Sequence, residues 1–118
     1  MNRLTSFHDR DGYLLVKVAA PWTETSAKQV IDEIKSEVTK QHHNRLLLDL
    51  TQWTEPDTEF TRFQSGKYLA KVFPPPFKIA AYAIPNVINR FGETTAINRG
   101  ALFRIFPDEQ SALQWLME

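Results

Sequence analysis

Two tryptophans, Trp22 and Trp53, each follow a short apolar run. Asn86, Asn89 and Arg90 follow a later apolar run, at residues 77–84, in the same way. In an open parallel sheet, ligands usually bind outside the carboxyl ends of the strands, so segments that follow strands meet there. Aromatic side chains beside amides and an arginine would suit an apolar slot with a polar rim. The favoured alternative is that both tryptophans close the core beneath loops, because large aromatic residues mostly pack. The residues predicted at this edge are Trp22, Trp53, Thr54, Asn86, Asn89 and Arg90. Phe60, Phe63 and Phe91 are predicted to line an apolar pocket together with the tryptophans.

Few residues have the types and spacing that catalysis or metal binding requires. The chain has no cysteine, so disulfides, thiolate nucleophiles and cysteine-based metal sites are excluded. His42 and His43 are adjacent and point in different directions, so we expect a helix end rather than a metal site. Asp49 lies within an apolar run, and we expect it to bond to a loop amide rather than to act in catalysis. We therefore expect no catalytic residue, no metal and no cofactor, and we do not expect an enzyme.

The overall composition is that of an ordinary globular protein. The chain has 118 residues, 42% of them hydrophobic and 24% charged, so residues 1–118 are expected to form one domain. Because the formal net charge is zero, no general attraction to nucleic acid is expected. No apolar run approaches the roughly 20 residues of a spanning helix, and no signal peptide is visible. These features predict a cytoplasmic protein without membrane insertion.

Hydrophobic periodicity predicts the elements that would position these side chains. Residues 23–40 show apolar side chains at helical spacing, and the run at 45–50 is nearly unbroken, as in a strand buried on both faces. Asp11-Gly12 predicts a hairpin turn, Ser26 with Gln29 predicts a capping box, and Asp108 is the expected cap of the last helix. The predicted strands are 4–8, 13–19, 45–50, 77–84 and 101–106, and the predicted helices follow residues 23, 54, 86 and 108.

The second helix is predicted to open in the segment Thr54–Asp57, because proline and acidic residues suit a first turn. Its inward face is predicted to carry Phe60, Phe63, Gly66, Ala70 and Phe73. The order of strands and helices predicts an α/β fold with a mainly parallel five-stranded sheet, an antiparallel N-terminal hairpin and four helices.

The end of the chain carries the most specific pattern, Arg104-x-Phe106-x-Asp108-x-x-x-Ala112-Leu113-x-Trp115-Leu116. It resembles the closing strand and helix of the SpoIIAA-like family, which belongs to the STAS and SEC14 (CRAL-TRIO) relatives. The strand Leu46–Leu50, followed by a helix near Asp57, resembles the centre of a STAS domain. The resemblance implies a bacterial, cytosolic, non-enzymatic domain; STAS relatives bind protein partners, and SEC14 relatives bind lipids.

The resemblance also concerns a phosphorylation switch at the start of the second helix. The family pattern Asp-Ser-Ser-Gly aligns with Asp57-Thr58-Glu59-Phe60, so Glu59 occupies the position of the phosphorylated serine. Glutamate cannot accept a phosphate, so the switch is not expected here. Glu59 could mimic a permanently charged state, and the favoured alternative is a plain first-turn acid.

The sequence thus predicts a non-enzymatic regulatory or protein-interaction domain without the phosphorylatable serine. The alternative is a carrier of a small apolar, lipid-like ligand, which would need a closed cavity of some hundreds of Å³. The expected partner is another protein or a second copy, since the helix face around Val72, Phe73 and Phe77 could exceed what one sheet covers.

Overall fold

The computed structural model describes residues 4–53, 58–84 and 91–118. Within these ranges, five strands alternate with four helices after an initial hairpin. The strands are β1 (Thr5–Arg10), β2 (Tyr13–Val18), β3 (Arg45–Asp49), β4 (Lys78–Tyr82) and β5 (Leu102–Phe106). The helices are α1 (Glu24–Gln41), α2 (Glu59–Val72), α3 (Phe91–Asn98) and α4 (Glu109–Leu116).

The strands form one sheet in the order β1-β2-β3-β4-β5. β1 pairs with β2 in antiparallel fashion, and every later pair is parallel. Gly12 has a φ of 86° in the β1–β2 turn, a backbone conformation that glycine adopts without strain. The predicted fold class is confirmed, including the antiparallel hairpin.

The two faces of the sheet are covered unequally. On the front face, alternate strand residues such as Leu14, Leu46 and Ile79 pack against α1, α2 and α3 in the larger core. On the back face, a smaller cluster joins Leu15 and Leu47 to α4. Successive side chains of a strand point to opposite faces, so a strand with helices on both sides reads as an unbroken apolar run.

α1 begins one residue later than predicted and is capped differently. Thr23 is its N-cap: Ser26 N donates to Thr23 Oγ1 at 3.0 Å, and Thr23 N donates to Ser26 Oγ at 2.9 Å. The predicted box of Ser26 with Gln29 is wrong, because Ser26 is already the third helical residue. Gln29 Nε2 donates instead to Glu33 Oε2 at 2.8 Å. The predicted buried stripe is confirmed: Ala27, Val30, Ile31, Ile34 and Val38.

α2 begins at Glu59, with Thr58 as its N-cap accepting from Thr61 N at 3.1 Å. The predicted opening segment, Thr54–Asp57, lies outside the described residues. Gly66 is buried as predicted, whereas Phe60 is 56% exposed. The inward prediction for Phe60 fails because Thr61 and Arg62 occupy the buried side of the first turn.

α3 ends just before Gly100 and α4 begins after Asp108, as the sequence predicts. Gly100 has a φ of 97° just after α3, as expected for a left-handed helix end. Asp108 caps α4, accepting from Ser111 N at 2.7 Å. The predicted cap of α3, Asn86, lies outside the described residues. None of the helices in the described ranges combines the length and apolarity needed to cross a bilayer.

Candidate functional site

Trp22 and Trp53 meet over the front core, near the carboxyl ends of β2 and β3. Their ring centroids lie 4.7 Å apart with the planes tilted by 38°. Both side chains are buried. Trp22 Nε1 donates to Ser65 Oγ on α2 at 2.9 Å. The pair closes the core and ties the segment after β2 to α2, as the packing alternative predicts.

Arg62 completes this aromatic pair from α2. Its guanidinium carbon lies 5.0 Å from the centroid of the Trp22 ring, and its side chain is buried. Arg62 Nε lies 3.3 Å from Glu59 Oε1, one helical turn earlier. The face of an indole attracts a cation, and the carboxylate offsets part of the cost of burying the charge. Sequence reasoning missed Arg62; the only signal was its spacing of three residues from Glu59.

An apolar cavity lies beneath the tryptophan pair. Its volume is about 70 Å³, and it is lined by residues of α1, α2 and the sheet, including both tryptophans and Gly66. Sites for drug-sized ligands have volumes of roughly 300–1,000 Å³. Phe60 and Phe63, which were predicted to line a pocket, do not line this cavity. The cavity is therefore smaller than the usual site for such a ligand.

Phe60, Phe63 and Arg99 form an aromatic surface outside the core, which we call the α2 platform. The Phe60 and Phe63 rings stack with centroids 6.2 Å apart. The guanidinium carbon of Arg99, just after α3, lies 5.6 Å from the Phe63 ring centroid. Phe60 is the most exposed of the large apolar side chains in the described part of the chain. An exposed aromatic pair beside a cation suits a protein contact, because interface cores are rich in aromatic and arginine residues.

The remaining residues of the predicted edge cannot be placed with this group. Thr54, Asn86, Asn89 and Arg90 lie outside the described residues. Phe91 begins α3, and its side chain is likewise outside the described part. The structure therefore brings together Trp22 and Trp53 and puts Phe60 and Phe63 on the neighbouring surface.

The predicted switch region forms the N-terminus of α2. Asp57 lies outside the described residues, Thr58 is the N-cap, and Glu59 is the first residue of the helix. Glu59 is exposed, and its carboxylate pairs with Arg62. A negative group is favourable at the positive end of a helix. This is the environment of a first-turn acid.

The other candidate groups for chemistry have structural partners. Asp49 Oδ1 accepts from Thr51 N at 3.0 Å, the loop amide bond that was expected. Burial raises the pKa of Tyr82, and the nearby carboxylates of Asp49 and Glu109 raise it further.

His42 ends α1 in a left-handed conformation with a φ of 62°. In the described ranges, no group of three or more histidine, aspartate or glutamate side chains could hold a metal ion.

Comparison with known proteins identifies the fold. No family model matches the chain, and no curated protein matches it either. An anti-sigma factor antagonist from Mycobacterium paratuberculosis superposes with a TM-score of 0.68 and 15% identity, over 97% of this chain and 93% of that one. A DUF3478 family protein with a SpoIIAA-like fold from Shewanella loihica superposes with a TM-score of 0.58 and 18% identity, over 95% and 91% of the two chains. The chain has the SpoIIAA-like fold, as the sequence resemblance implied.

Proposed function

We propose that residues 1–118 form one non-enzymatic regulatory domain that binds a protein partner through the α2 platform. The observation that carries this proposal is the 56% exposure of Phe60, stacked on Phe63 at the first turn of α2. An exposed phenylalanine gains free energy when a partner removes it from water, by about 1.5–3 kcal/mol for complete burial. Buried aromatic anchors of this kind carry most of the binding energy in many interfaces.

The likeness in fold supports a regulatory role. The Mycobacterium neighbour is named as an anti-sigma factor antagonist, so its fold serves a protein whose target is another protein. At 15% identity, that likeness suggests a class of function and does not identify a partner. A cytoplasmic location is part of the proposal and follows the resemblance to cytosolic bacterial proteins.

The proposed domain works without the phosphorylation switch at position 59. Glu59 stands where the resemblance places the serine, and its carboxylate is engaged by Arg62 at 3.3 Å. Unlike a serine hydroxyl, this carboxylate cannot accept a phosphate. We therefore propose that partner binding does not depend on phosphorylation of residue 59.

A homodimer through the face around Val72, Phe73 and Phe77 has less support than a different partner. Phe73 is fully buried in the front core, and the Phe77 ring packs edge-on against it at 5.1 Å. Lys35 Nζ covers both rings, at 5.4 and 4.7 Å from their centroids. Since these groups are covered within the chain, the apolar excess that suggested a dimer is small.

The carrier function also has less support. The cavity beneath the tryptophans has a volume of about 70 Å³, which is smaller than even an engineered benzene-binding cavity of about 150 Å³. A lipid-like ligand would have to separate α1 from α2. Mass spectrometry of denatured protein, freshly purified, checks this function directly: a stoichiometric lipid would support the carrier.

Affinity capture with a matched pair of variants tests the proposed interface. The tagged protein, Phe60→Ser and Met117→Ser are used as baits in a lysate of the source organism. Met117 is 41% exposed at the far end of α4, so its substitution controls for the loss of one exposed apolar side chain. We expect the same protein to be captured by the unaltered chain and Met117→Ser and to be lost with Phe60→Ser. Equal capture by Phe60→Ser, or no specific capture by the unaltered chain, would contradict the proposal.

A further inference from the structure

A row of five side chains crosses the back face of the sheet at its amino end, opposite the end that carries the tryptophans. Strand register places Arg10 beside Tyr13, Arg45 beside Lys78, and Lys78 beside Leu102. Tyr13 lies beside Arg45, because the next residues, Leu14 and Leu46, are partners. Residues directly opposite each other in a sheet share a face. The basic row therefore consists of Arg10, Tyr13, Arg45, Lys78 and Leu102.

Three of these five residues are cations, and in the described part of the chain neither arginine pairs with a carboxylate. Arg45 is half-buried and has neither a hydrogen bond nor an ion pair within the described ranges. Arg10 donates only to the carbonyl oxygen of Asp9, at 3.4 Å. Charged groups that lose part of their hydration are normally paired. The row thus places two arginines and a lysine on one face of a chain whose net charge is zero.

The C-terminal end of α4 accounts for only one of the cations. Lys78 Nζ donates to the main-chain oxygen of Glu118 at 3.4 Å and lies 4.5 Å from the Trp115 ring centroid. A cation is favourable at the negative end of a helix, and this effect fades within the last turn. Arg10 is three strands away from Lys78, a distance of roughly 14 Å at the usual strand spacing. Helix capping therefore does not explain Arg10, and Arg45 does not take part in it.

The row ends in an exposed apolar side chain. Leu102 is 46% exposed on the edge strand β5, next to Lys78. The edge of β5 is itself partly occupied, because Ile105 N donates to the buried carboxylate of Glu93 at 2.5 Å. A partner that added a strand there would have to displace Glu93. A partner would therefore meet the side chains of the row rather than the strand edge.

We infer that the basic row binds an extended acidic segment of another protein, with an apolar side chain of that segment placed on Leu102. A line of cations matches carboxylates along an extended chain, and Leu102 supplies the apolar contact. Single-stranded nucleic acid is less suited, because its affinity depends on many phosphate contacts, and the row offers three cations in a chain whose net charge is zero. A symmetric dimer through the row would bring like charges together.

Binding at the basic row does not depend on the α2 platform. The platform lies at the start of α2, whereas the row lies on the back face at the opposite end of the strands. A domain with both surfaces could hold two proteins at once. The loss of either contact would leave the other one intact.

Fluorescence anisotropy with a defined peptide tests the row. The probe is a short labelled peptide of glutamate interspersed with leucine, and the comparison probes are the same peptide with glutamine for glutamate and an oligothymidylate of equal length. We expect the acidic peptide to bind at low salt and to be released as salt is raised. Arg45→Glu and Arg10→Glu should each weaken binding about tenfold, because each removes one attraction and adds one repulsion. Lys67→Glu, on the exposed side of α2, should leave the affinity unchanged.

Several results would overturn the inference. They are no binding of the acidic peptide at low salt, equal affinity for the glutamine peptide, tighter binding of oligothymidylate, or unchanged affinity in both arginine variants. A doubled mass by light scattering that is lost in Arg10→Glu would mean that the row joins two copies. Circular dichroism checks folding, and because Arg10 is exposed, Arg10→Glu keeps the test valid should Arg45→Glu fail to fold.

Discussion

At the residue scale, the indole of Trp22 meets three kinds of neighbour. Trp53 contacts its face, Arg62 lies over its ring, and Ser65 accepts its N–H. The sequence could show that the tryptophans follow strands, and packing was the favoured alternative. It could not show Arg62, because a lone arginine is normally solvated and only the helical phase of α2 brings it inward.

The hydrogen bond from Trp22 to Ser65 leads to a prediction for stability. Ser65→Ala would leave a buried indole N–H without an acceptor, so we expect a loss of about 1 kcal/mol in the free energy of unfolding. Ser36→Ala, at an exposed position of α1, is the matched control for the change in helix propensity. Urea unfolding of both variants measures the difference. Equal stabilities would mean that the bond contributes nothing beyond packing.

At the element scale, the location of the helices could be predicted, but the phase of α2 could not. The apolar residues of α1 repeat regularly and define one buried stripe. In α2, phenylalanines and small residues are mixed, and buried Thr61 and Arg62 replace the apolar residues that a pattern would require. Thr58, rather than the preceding segment, supplies the cap. The burial of Arg62 depends on Trp22 and Glu59, which are tertiary and local partners that periodicity does not record.

Gly66 provides a prediction within α2. Gly66 is buried and lines the cavity of about 70 Å³. Gly66→Ala should raise stability by about 1 kcal/mol, because alanine favours the helix and Gly66 borders a cavity. Calorimetry should show a rise in Tm of about 4 °C. Lys67→Ala, exposed on the same turn, should change stability by no more than about 0.5 kcal/mol. A lower Tm for Gly66→Ala would show that the helix approaches the sheet too closely for a methyl group.

Glu33 joins two elements, because it binds the start of β1 from α1. Its carboxylate accepts from Leu4 N at 3.2 Å and from the Thr5 hydroxyl. Burial alone would raise the pKa of Glu33, but hydrogen bonds from Thr5, Gln29 and Leu4 outweigh it, so the pKa is lowered. A lowered folded-state pKa adds stability above the unfolded value, and this stability is lost as pH falls through the folded value.

In Glu33→Gln, we expect the free energy of unfolding to depend less on pH in the acid range. The unaltered chain should lose stability as the pH falls below about 4.3, the ordinary value for glutamate, and Glu33→Gln should lose less over the same range. Glu37→Gln, four residues later on α1, is the control for the removal of a negative charge. Urea midpoints across the acid range measure this. Parallel curves for Glu33→Gln and the unaltered chain would contradict the link between α1 and β1.

At the scale of the whole molecule, the order of elements could be predicted nearly completely from the sequence. The alternation of apolar runs and amphipathic segments requires crossovers between parallel strands, and the Asp11-Gly12 turn requires the one antiparallel pair. The basic row could not be found this way. Arg10, Arg45, Lys78 and Leu102 lie on four strands and become neighbours only through the strand register.

Binding at the α2 platform and binding at the basic row should respond differently to salt. The α2 platform is aromatic, whereas the basic row is charged. Binding at the platform should therefore tolerate salt, and binding at the row should not. We expect a domain with this arrangement to bind two partners of different chemistry.

Burial of Phe60 by a protein partner can be measured by calorimetric titration of the captured partner. The unaltered chain and Met117→Ser should bind that partner with the same Kd. Phe60→Ser should bind it about tenfold or more weakly, since one buried phenylalanine contributes about 1.5–3 kcal/mol. A Kd for Phe60→Ser equal to that of the unaltered chain would contradict the claim.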